Sequence, residues 1–313
     1  MTSLLAADTQ QPIRGVLAPV VTPFQYDLEV DTGAFIEHCK WIVDAGAALA
    51  VFGTNSEAAS LSFSERISLL DTLIDAGLPA AKMMPGTGTA SLKETVELTR
   101  HAVKAGAAGV LMLPPYYFKN PSENGLFDYF SHVIDSVSDS RLRVYLYHIP
   151  QFTQIPITLA LIERLVKRYP SVVRGAKDSS GDWANTEAMI RTFGRDGFDV
   201  FPASEALMAK AVAIGGAGCI SATANMNPHG LAELYDALTS GKPTTTSSTA
   251  LAVRDIFMSV PMIPAMKYVI SKVTRQPAWS VVRPPLTALP EELGTDLLRR
   301  LEDMRFAMQG RSA

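Results

Sequence analysis

Lys177 is the residue whose sequence context most clearly suggests chemistry. Residues 172–181 read VVRGAKDSSG, so a β-branched run leads to this lysine and a cluster of Asp, Ser and Gly follows it. The pattern predicts a buried strand with the amine at its carboxyl-terminal tip. Apolar surroundings lower the pKa of an ammonium group, and a neutral amine can attack a carbonyl to form a Schiff base. The alternative is a lysine that extends past the strand end to reach water.

The elements that must position this lysine alternate between strand and helix character, with a repeat of about thirty residues. The sequence predicts strands at residues 15–21, 47–52, 80–84, 109–113, 143–147, 172–177, 198–201 and 218–221. It predicts helices at residues 31–45, 91–105, 122–137, 157–169, 183–193, 204–214 and up to 238, and a further helix capped by Ser62 or Ser64. Eight strand–helix units of similar length favour the α/β class and a closed (β/α)8 TIM barrel over an open doubly wound sheet.

Three regions follow from this pattern. We expect a flexible amino-terminal tail at residues 1–12, the barrel at 13–240 and a C-terminal helical extension at 241–313. The extension begins with a linker rich in Pro, Thr and Ser at 241–248, and its predicted helices are 250–274 and 291–308.

In a (β/α)8 barrel the reactive groups lie where strands end. This rule places the loop 53–57, the segment 114–117, Tyr147 and Lys177 on one rim. Lys82 is a weaker candidate amine, because three residues separate it from the glycine that ends its strand. We therefore expect Lys82 lower in the barrel or on its outer face.

A Schiff-base aldolase needs an amine, a proton relay and a site for the carboxylate of a 2-oxo acid. Lys177 supplies the amine, and Tyr147 at the end of the neighbouring strand could move protons. The alternative for Tyr147 is a packing role, since Tyr145 lies on the same strand face. Thr54, Asn55 and Ser56 offer amides and hydroxyls to a carboxylate, although small polar residues also serve simple turns.

Composition excludes several other classes of protein. The 313-residue chain is 47% hydrophobic and has a formal net charge of -3, so nucleic acid is not an expected partner. No apolar run approaches the ~20 residues needed to cross a bilayer, so no membrane is expected. Cys39 and Cys219 are far apart and fit a reducing cytoplasm. The five histidines lack metal-site spacing and no nucleotide-binding loop is present, so neither metal nor cofactor is expected.

Seven motifs, in order, carry a resemblance to a known family. They are PVVTPF at 19–24, GTNSEA at 53–58, GTG at 86–88, PYY at 115–117, YHIP at 147–150, GAKDSSG at 175–181 and IPAMK at 263–267. Over residues 15–290 the chain resembles the dihydrodipicolinate synthase / N-acetylneuraminate lyase family of class I aldolases. The resemblance implies a (β/α)8 barrel with C-terminal helices, and a homo-oligomer that is usually a dimer of tight dimers.

The resemblance also implies roles for particular residues. Lys177 would form an imine with pyruvate or a pyruvate-like group, Tyr147 would be the catalytic tyrosine, and Thr54 would belong to its hydroxyl relay. Tyr117 would be lent across the tight dimer to the neighbouring site. The carboxylate site would be the amides of Thr54 and Asn55.

The remaining candidate substrate contacts include departures from the family pattern. Ile220 matches an apolar pocket residue, but Phe152 stands where synthases of lysine biosynthesis carry an arginine, five residues after the catalytic tyrosine. Asn55 and Ser56 replace a Thr-Gly pair, and Ser204 lies in a segment where synthases have a Gly-Asp-Asp-like turn. The groups that bind lysine in inhibited members are replaced by Ala58, Phe63 and Ala90.

These features favour a cytoplasmic, cofactor-free class I lyase that joins or splits pyruvate and an aldehyde, the aldol being a 2-oxo acid. Three alternatives stay open. The first is a true 4-hydroxy-tetrahydrodipicolinate synthase of lysine biosynthesis. The second is a 2-keto-3-deoxy sugar-acid aldolase or dehydratase. The third is a non-catalytic sensor of 2-oxo acids.

Overall fold

The protein is a closed parallel barrel surrounded by helices, as a computed structural model describes for residues 12–243 and 246–311. Seven regular strands occur in these residues: β1 Gly15–Ala18, β2 Ala48–Leu49, β3 Val110–Met112, β4 Val144–His148, β5 Val173–Asp178, β6 Asp199–Pro202 and β7 Gly218–Ile220. They pair in parallel in the orders β2-β1-β7 and β3-β4-β5-β6.

An irregular segment, residues 83–86, fills the eighth position in the barrel. Met84 N donates to Leu49 O at 2.8 Å, and Leu111 N donates to Pro85 O at 2.9 Å. Opposite this segment, Ala217 N donates to Val200 O at 3.0 Å and closes the barrel between β6 and β7. The predicted (β/α)8 barrel is therefore confirmed.

The predicted third strand at residues 80–84 is wrong in its bounds and regularity. Ala80–Lys82 form a single 3₁₀ turn, and only Met83 and Gly86 make isolated bridges to β2 and β3. Pro85 has no backbone N–H, so a regular hydrogen-bond ladder cannot continue through it.

Twelve helices occur in the described residues: α1 Thr32–Asp44, α2 Phe63–Asp75, α3 Leu92–Lys104, α4 Glu123–Val137, α5 Pro150–Thr153, α6 Leu159–Arg168, α7 Trp183–Phe193, α8 Glu205–Ala213, α9 Pro228–Ser240, α10 Thr246–Met258, α11 Met262–Val273 and α12 Glu291–Asp303. Of the two proposed caps for α2, Ser62 is the N-cap and forms a capping box with Glu65. The short helix α5 was not predicted, because Pro150 starts it directly after β4.

One extra residue in β5 sets the register of the strands that carry the site. Val144 pairs with Val173, but Tyr145 pairs with Gly175, so the chain bulges at Arg174. Val173 accordingly packs between the strands and the helices, while the ring of Tyr145 lies inside the barrel.

Tyr145 fills the barrel next to a glycine that has no room for a side chain. A Cβ on Gly175 would lie 2.6 Å from Tyr145 Cδ1 and 2.1 Å from Asp199 O. The ring also packs against Phe201, with 5.9 Å between the ring centroids. The prediction that Tyr145 and Tyr147 share a strand face is correct, and Tyr145 supplies packing below Tyr147.

The C-terminal extension packs on the rim where strands end. Its apolar cluster includes Phe257, Met266 and Trp279, and it contacts Val21 after β1 and Ala222 after β7. The predicted single helix 250–274 is wrong, because α10 and α11 are separate helices with a 112° bend between them.

Parts of the predicted tail and linker lie outside the described residues, namely residues 1–11 and 244–245. The last three residues predicted as linker, 246–248, already belong to α10. No single helix of the described chain is long and apolar enough to span a bilayer; only the bent α10–α11 pair reaches that apolar length when both are counted together.

His38 on α1 is fully buried where the extension meets the barrel. Its Nε2 lies 3.2 Å from Asn225 Oδ1, whereas its Nδ1 has no hydrogen-bond partner. Its ring lies 5.5 Å from the ring of Trp41 and 5.2 Å from that of Trp279. Burial, with a smaller contribution from the charge of Arg311, holds the pKa of His38 well below its ordinary value.

We expect this histidine to make the protein sensitive to acid. Because its pKa is lower in the folded than in the unfolded state, its contribution to stability is complete above about pH 6.5 and is lost as the pH falls. At pH 5 the loss is at most about 2 kcal/mol of unfolding free energy, the limit set by a ring that stays neutral in the folded state. Urea unfolding at pH 7 and pH 5 should therefore show a smaller pH dependence in His38→Gln than in the parent. His132→Gln, at an exposed position of α4, is the control and should keep the parent's dependence. An equal dependence in His38→Gln and the parent would contradict this assignment.

Candidate active site

Three predicted side chains meet at the carboxyl-terminal rim of the barrel. Tyr147 on β4 is the register partner of Lys177 on β5, and both side chains are buried. Lys177 Nζ donates to Tyr147 Oη at 3.2 Å, and Tyr147 Oη lies 3.1 Å from Thr54 Oγ1. An amine, a phenol and an alcohol thus form one continuous hydrogen-bonded chain, which can move a proton to or from a group bound at the amine.

Thr54 reaches this chain because the loop after β2 is tightly folded. Ser56 N and Ala58 N both donate to Gly53 O, at 3.1 and 3.3 Å. Ser56 is fully buried, its Oγ accepts from Gly53 N at 3.2 Å, and its carbonyl accepts from the hydroxyl of Thr22 at 2.7 Å. The structure therefore gives Ser56, a predicted substrate contact, a role in shaping the loop.

The backbone before this loop also needs the glycine of the GTG motif. A Cβ on Gly86 would lie 2.2 Å from the carbonyl oxygen of Phe52, a contact that real side chains do not make. Phe52 itself has a positive φ of 61°. The motif therefore serves close packing of the irregular barrel segment against the loop that carries Thr54.

The residues after Lys177 end the strand and begin α7. The carboxylate of Asp178 accepts hydrogen bonds from Ser180 N at 2.9 Å, Asn185 Nδ2 at 3.0 Å and Thr186 Oγ1 at 2.7 Å. This network fixes the end of β5, and with it the backbone that presents the amine. Sequence reasoning predicted the turn but not the role of Asp178 within it.

His148 braces the end of β4 in a similar way. Ile157 N donates to its Nδ1 at 3.0 Å, so this nitrogen carries no proton. Burial lowers the pKa of His148 despite the nearby charge of Asp178, which agrees with a neutral ring.

A cavity of about 310 Å³ opens at this rim. Its walls are mostly apolar, and two of the predicted substrate contacts, Thr54 and Phe152, belong to them. Its lining residues are Phe52, Gly53, Thr54, Glu57, Ala58, Ala59, Ser60, Arg66, Gly88, Leu113, Tyr116, Ile149, Phe152, Thr153, Ile263, Pro285 and Leu286. Lys177 and Tyr147 are not wall residues, so Thr54 is the group that links the cavity to the amine.

The other predicted site residues are placed differently. Ile220 lies inside the barrel in the apolar cluster that includes Tyr147. Asn55 is half-buried in the loop, and Ser204 is the N-cap of α8, where its Oγ accepts from Ala206 N at 3.2 Å. Tyr117 is 76% exposed and is not among the residues that line the cavity.

Arg66 is a charged wall residue that sequence reasoning missed. It is buried, its Nη2 donates to Gly86 O at 2.5 Å, and its Nε has no partner. Burial lowers its pKa to about 10, although Tyr116 and Glu94 act in the opposite direction. A signal was available, since Arg66 occupies the apolar stripe of α2 together with Leu69, Leu70 and Leu73.

The buried acid Glu205 also escaped prediction. Its carboxylate accepts hydrogen bonds from the hydroxyls of Ser221 and Thr223, and Arg254 Nη1 lies 3.1 Å from it. Arg254 is therefore already paired and is not a free cation at the rim. Among the described residues, no cluster of three or more His, Cys, Asp or Glu could hold a metal ion.

Comparison with known proteins gives a consistent result. A family model described as the dihydrodipicolinate synthetase family matches residues 12–304. An uncharacterized DapA-like lyase of Chloroflexus aurantiacus is 33% identical, over 89% of this chain and 93% of the relative. The 4-hydroxy-tetrahydrodipicolinate synthase of Rhizobium meliloti is 30% identical, over 88% and 93% of the two chains.

Solved structures are similar over nearly the whole chain. Dihydrodipicolinate synthase from Agrobacterium tumefaciens has a TM-score of 0.84 and 31% identity, with 93% of this chain and 99% of that chain covered. YagE, an E. coli K12 prophage protein of the dihydrodipicolinic acid synthase family solved with pyruvate, has a TM-score of 0.84 and 28% identity, with coverage of 94% and 99%.

Proposed function

The chain belongs to the dihydrodipicolinate synthetase family of class I lyases, and on this premise we propose that Lys177 forms an imine with pyruvate. The observation that carries the proposal is the continuous chain from Lys177 Nζ through Tyr147 Oη to Thr54 Oγ1. The neutral amine attacks the carbonyl carbon of pyruvate, and water leaves from the resulting carbinolamine. Tyr147 delivers the proton that this water needs and becomes a phenolate, which a hydrogen bond from Thr54 stabilises and which takes up the proton lost from carbon 3 in the next step.

The imine then activates carbon 3 of pyruvate. Loss of a proton from this carbon gives an enamine, which attacks the carbonyl carbon of an aldehyde and forms the new carbon–carbon bond. Water releases the aldol from Lys177 and restores the free amine. Cleavage of a 2-oxo-acid aldol follows the same steps in reverse.

The amides of the loop after β2 are the proposed site for the carboxylate of pyruvate. Within the described residues, neither Thr54 N nor Asn55 N donates a backbone hydrogen bond. Two free N–H groups in one turn form a concave site for an anion. The carboxylate would thereby be held next to the hydroxyl of Thr54, with carbon 2 directed at the amine.

Chemical trapping tests the assignment of Lys177. Borohydride added with pyruvate should reduce the imine and add mass to the peptide that carries Lys177, and Lys177→Met should abolish this label. Lys82 is the internal control, because it is exposed at the start of the irregular barrel segment. A label on Lys82 instead of Lys177, measured by peptide mass spectrometry, would refute the assignment.

For the acceptor we propose an uncharged or aromatic aldehyde, and the support is Phe152. This side chain lies on α5 at the cavity wall, where an arginine could hold a carboxylate by two charge-assisted hydrogen bonds. Arg254 is paired with Glu205, and Arg174 lies beside Gly197 at the amino-terminal end of β6. Arg66, another wall residue, donates to Gly86 O.

We therefore expect slow turnover with aspartate semialdehyde and faster turnover with neutral aldehydes. The missing contact should cost roughly 2–5 kcal/mol, the range for a charge that loses its partner. Steady-state kinetics on both acceptor types measures the difference in kcat/KM. Phe152→Arg is the matched variant and should raise kcat/KM for aspartate semialdehyde by about tenfold or more. If the parent prefers aspartate semialdehyde over every neutral aldehyde, the alternative of a 4-hydroxy-tetrahydrodipicolinate synthase is correct. In that case Arg66→Met tests whether Arg66 holds the carboxylate of the semialdehyde.

We also propose that the active assembly is at least a dimer, completed by Tyr117 from a second copy of the chain. The rings of Tyr117 and Phe118 are both exposed and pack edge to face, with centroids 5.8 Å apart. Lys119 anchors this loop by donating to Tyr116 O at 2.7 Å and to Thr153 O at 3.2 Å. An exposed aromatic pair on an anchored loop is typical of an interface. The assembly of two such dimers into a tetramer stays a prediction. A location in the cytoplasm also stays a prediction, which cell fractionation would test.

Subunit complementation tests this sharing of residues. Tyr117→Phe should lower turnover by about 10²-fold, the lower end for a lost proton-transfer group, without a change in folding. Lys177→Ala should be inactive alone. A mixture of the two variants should regain activity, because each hybrid dimer contains one site with both native side chains. No recovery after demonstrated subunit exchange, by mass spectrometry of intact dimers, would exclude the shared site.

A further inference from the structure

We propose that the buried ion pair between Glu57 and Lys267 positions Thr54, so that the C-terminal extension controls the proton relay at the barrel rim. The inference rests on the proposed function, because Thr54 matters only if the chain from Lys177 through Tyr147 carries protons. It assigns Glu57 and Lys267 as positioning residues that act through Thr54.

The two partners are fully removed from water. Lys267 Nζ on α11 lies 2.7 Å from Glu57 Oε1, and both side chains are 0% exposed. The second carboxylate oxygen, Glu57 Oε2, accepts from Arg283 N at 3.2 Å. Replacing a buried ion pair by apolar residues is often neutral or even stabilising, so overall stability alone does not account for this pair. What it supplies is a fixed position for the backbone of Glu57.

That backbone belongs to the same turn as Thr54. Glu57 N donates to Thr54 O at 3.1 Å, and Ser60 N donates to Glu57 O at 2.8 Å. Glu57 has a φ of 55°, in the left-handed region that a glutamate adopts at a cost in free energy. The ion pair holds this conformation from the side-chain end, so its loss would let the turn relax and would move the hydroxyl of Thr54 away from Tyr147.

A cluster of charged and aromatic groups connects the pair to the rest of the extension. The ring of Phe24 lies 4.4 Å from Lys267 Nζ and 4.5 Å from the guanidinium carbon of Arg283. Arg283 in turn donates to Ser60 O at 2.7 Å and pairs with Glu65. The charged groups that face Lys267 are therefore Glu57 and Arg283, with Glu65 beyond Arg283.

This arrangement makes the pair sensitive to alkaline pH. Burial lowers the pKa of Lys267 to about 8, and Arg283 adds to this effect while Glu57 opposes it. As the pH rises through about 8, the ammonium group loses its proton and Glu57 loses its partner charge. The relay should then weaken, because the turn that presents Thr54 has lost the charge pair that holds it.

Two variants test the pair. In Glu57→Gln/Lys267→Met neither residue is charged, so no unpaired buried charge remains; we expect a folded protein whose kcat is about tenfold lower or more, as for a misplaced catalytic group. Lys267→Arg keeps a positive charge over the whole pH range. It should retain most of the activity and move the alkaline limb of the kcat profile to higher pH. It also keeps the proposal falsifiable if the double variant does not fold.

The control is an ion pair at the other end of the barrel. Arg14 pairs with Asp199 at the amino-terminal ends of the strands, far from the loop after β2. Arg14→Met should lower the melting temperature but leave kcat and its pH profile unchanged. An equal loss of kcat in Arg14→Met, at matched folded fraction, would show that stability and not positioning is involved.

The outcomes separate this inference from the proposed function. If the parent traps pyruvate at Lys177 but the double variant has the parent's kcat, or Lys267→Arg has the parent's alkaline limb, the inference is wrong and the proposed function stands. If the parent fails to trap pyruvate at Lys177, the proposed function is wrong, and the inference is wrong with it.

Discussion

The register between β4 and β5 is the constraint on which the rest of the site depends. In a regular ladder that starts from the pair Val144–Val173, Tyr147 would lie opposite Ala176. The extra residue at Arg174 moves the pairing by one position and brings Tyr147 opposite Lys177, with both side chains inside the barrel. A phenol and an amine are thereby held 3.2 Å apart by backbone geometry. The tight pairing at Gly175 maintains this register, because any side chain there would meet Tyr145 and the neighbouring strand.

Most of the barrel was predictable from the sequence because each unit carries its own signals. Helical spacing and polar caps located α7 at its observed bounds and α1 to within one residue at each end. The errors occur where one residue changes the hydrogen-bond pattern. Pro85 interrupts the third barrel segment, and the bulge at Arg174 has no signature in residue type. The break between α10 and α11 did have a local signal that the prediction passed over, since Pro261 lies directly before α11 and disfavours a continuous helix.

In the candidate site, too, some features could be predicted from local sequence and others could not. The rule that strand ends converge brought Lys177, Tyr147 and Thr54 together without any knowledge of their distances. The supporting contacts join residues far apart in sequence, and Glu57 and Lys267 are separated by 210 positions. A sequence shows that both are charged, but only the folded chain shows that each is the other's partner. The same holds for Glu205, whose partner Ser221 lies in the turn after β7 and whose partner Arg254 lies on α10.

Phe152 lies on a four-residue helix at the cavity wall and outside the apolar core of the barrel. Phe152 and Gln151 point outward from α5, whereas Thr153 is buried and bonded to Ile149 O. Neither exposed side chain belongs to the apolar core that holds the barrel together. Lys177 and Tyr147, by contrast, are part of the strand ladder itself. Phe152, a cavity wall residue, can therefore be varied at little risk to the scaffold, whereas Gln151 is not a wall residue and donates to Ser179 O at 2.6 Å, in the turn that follows Lys177.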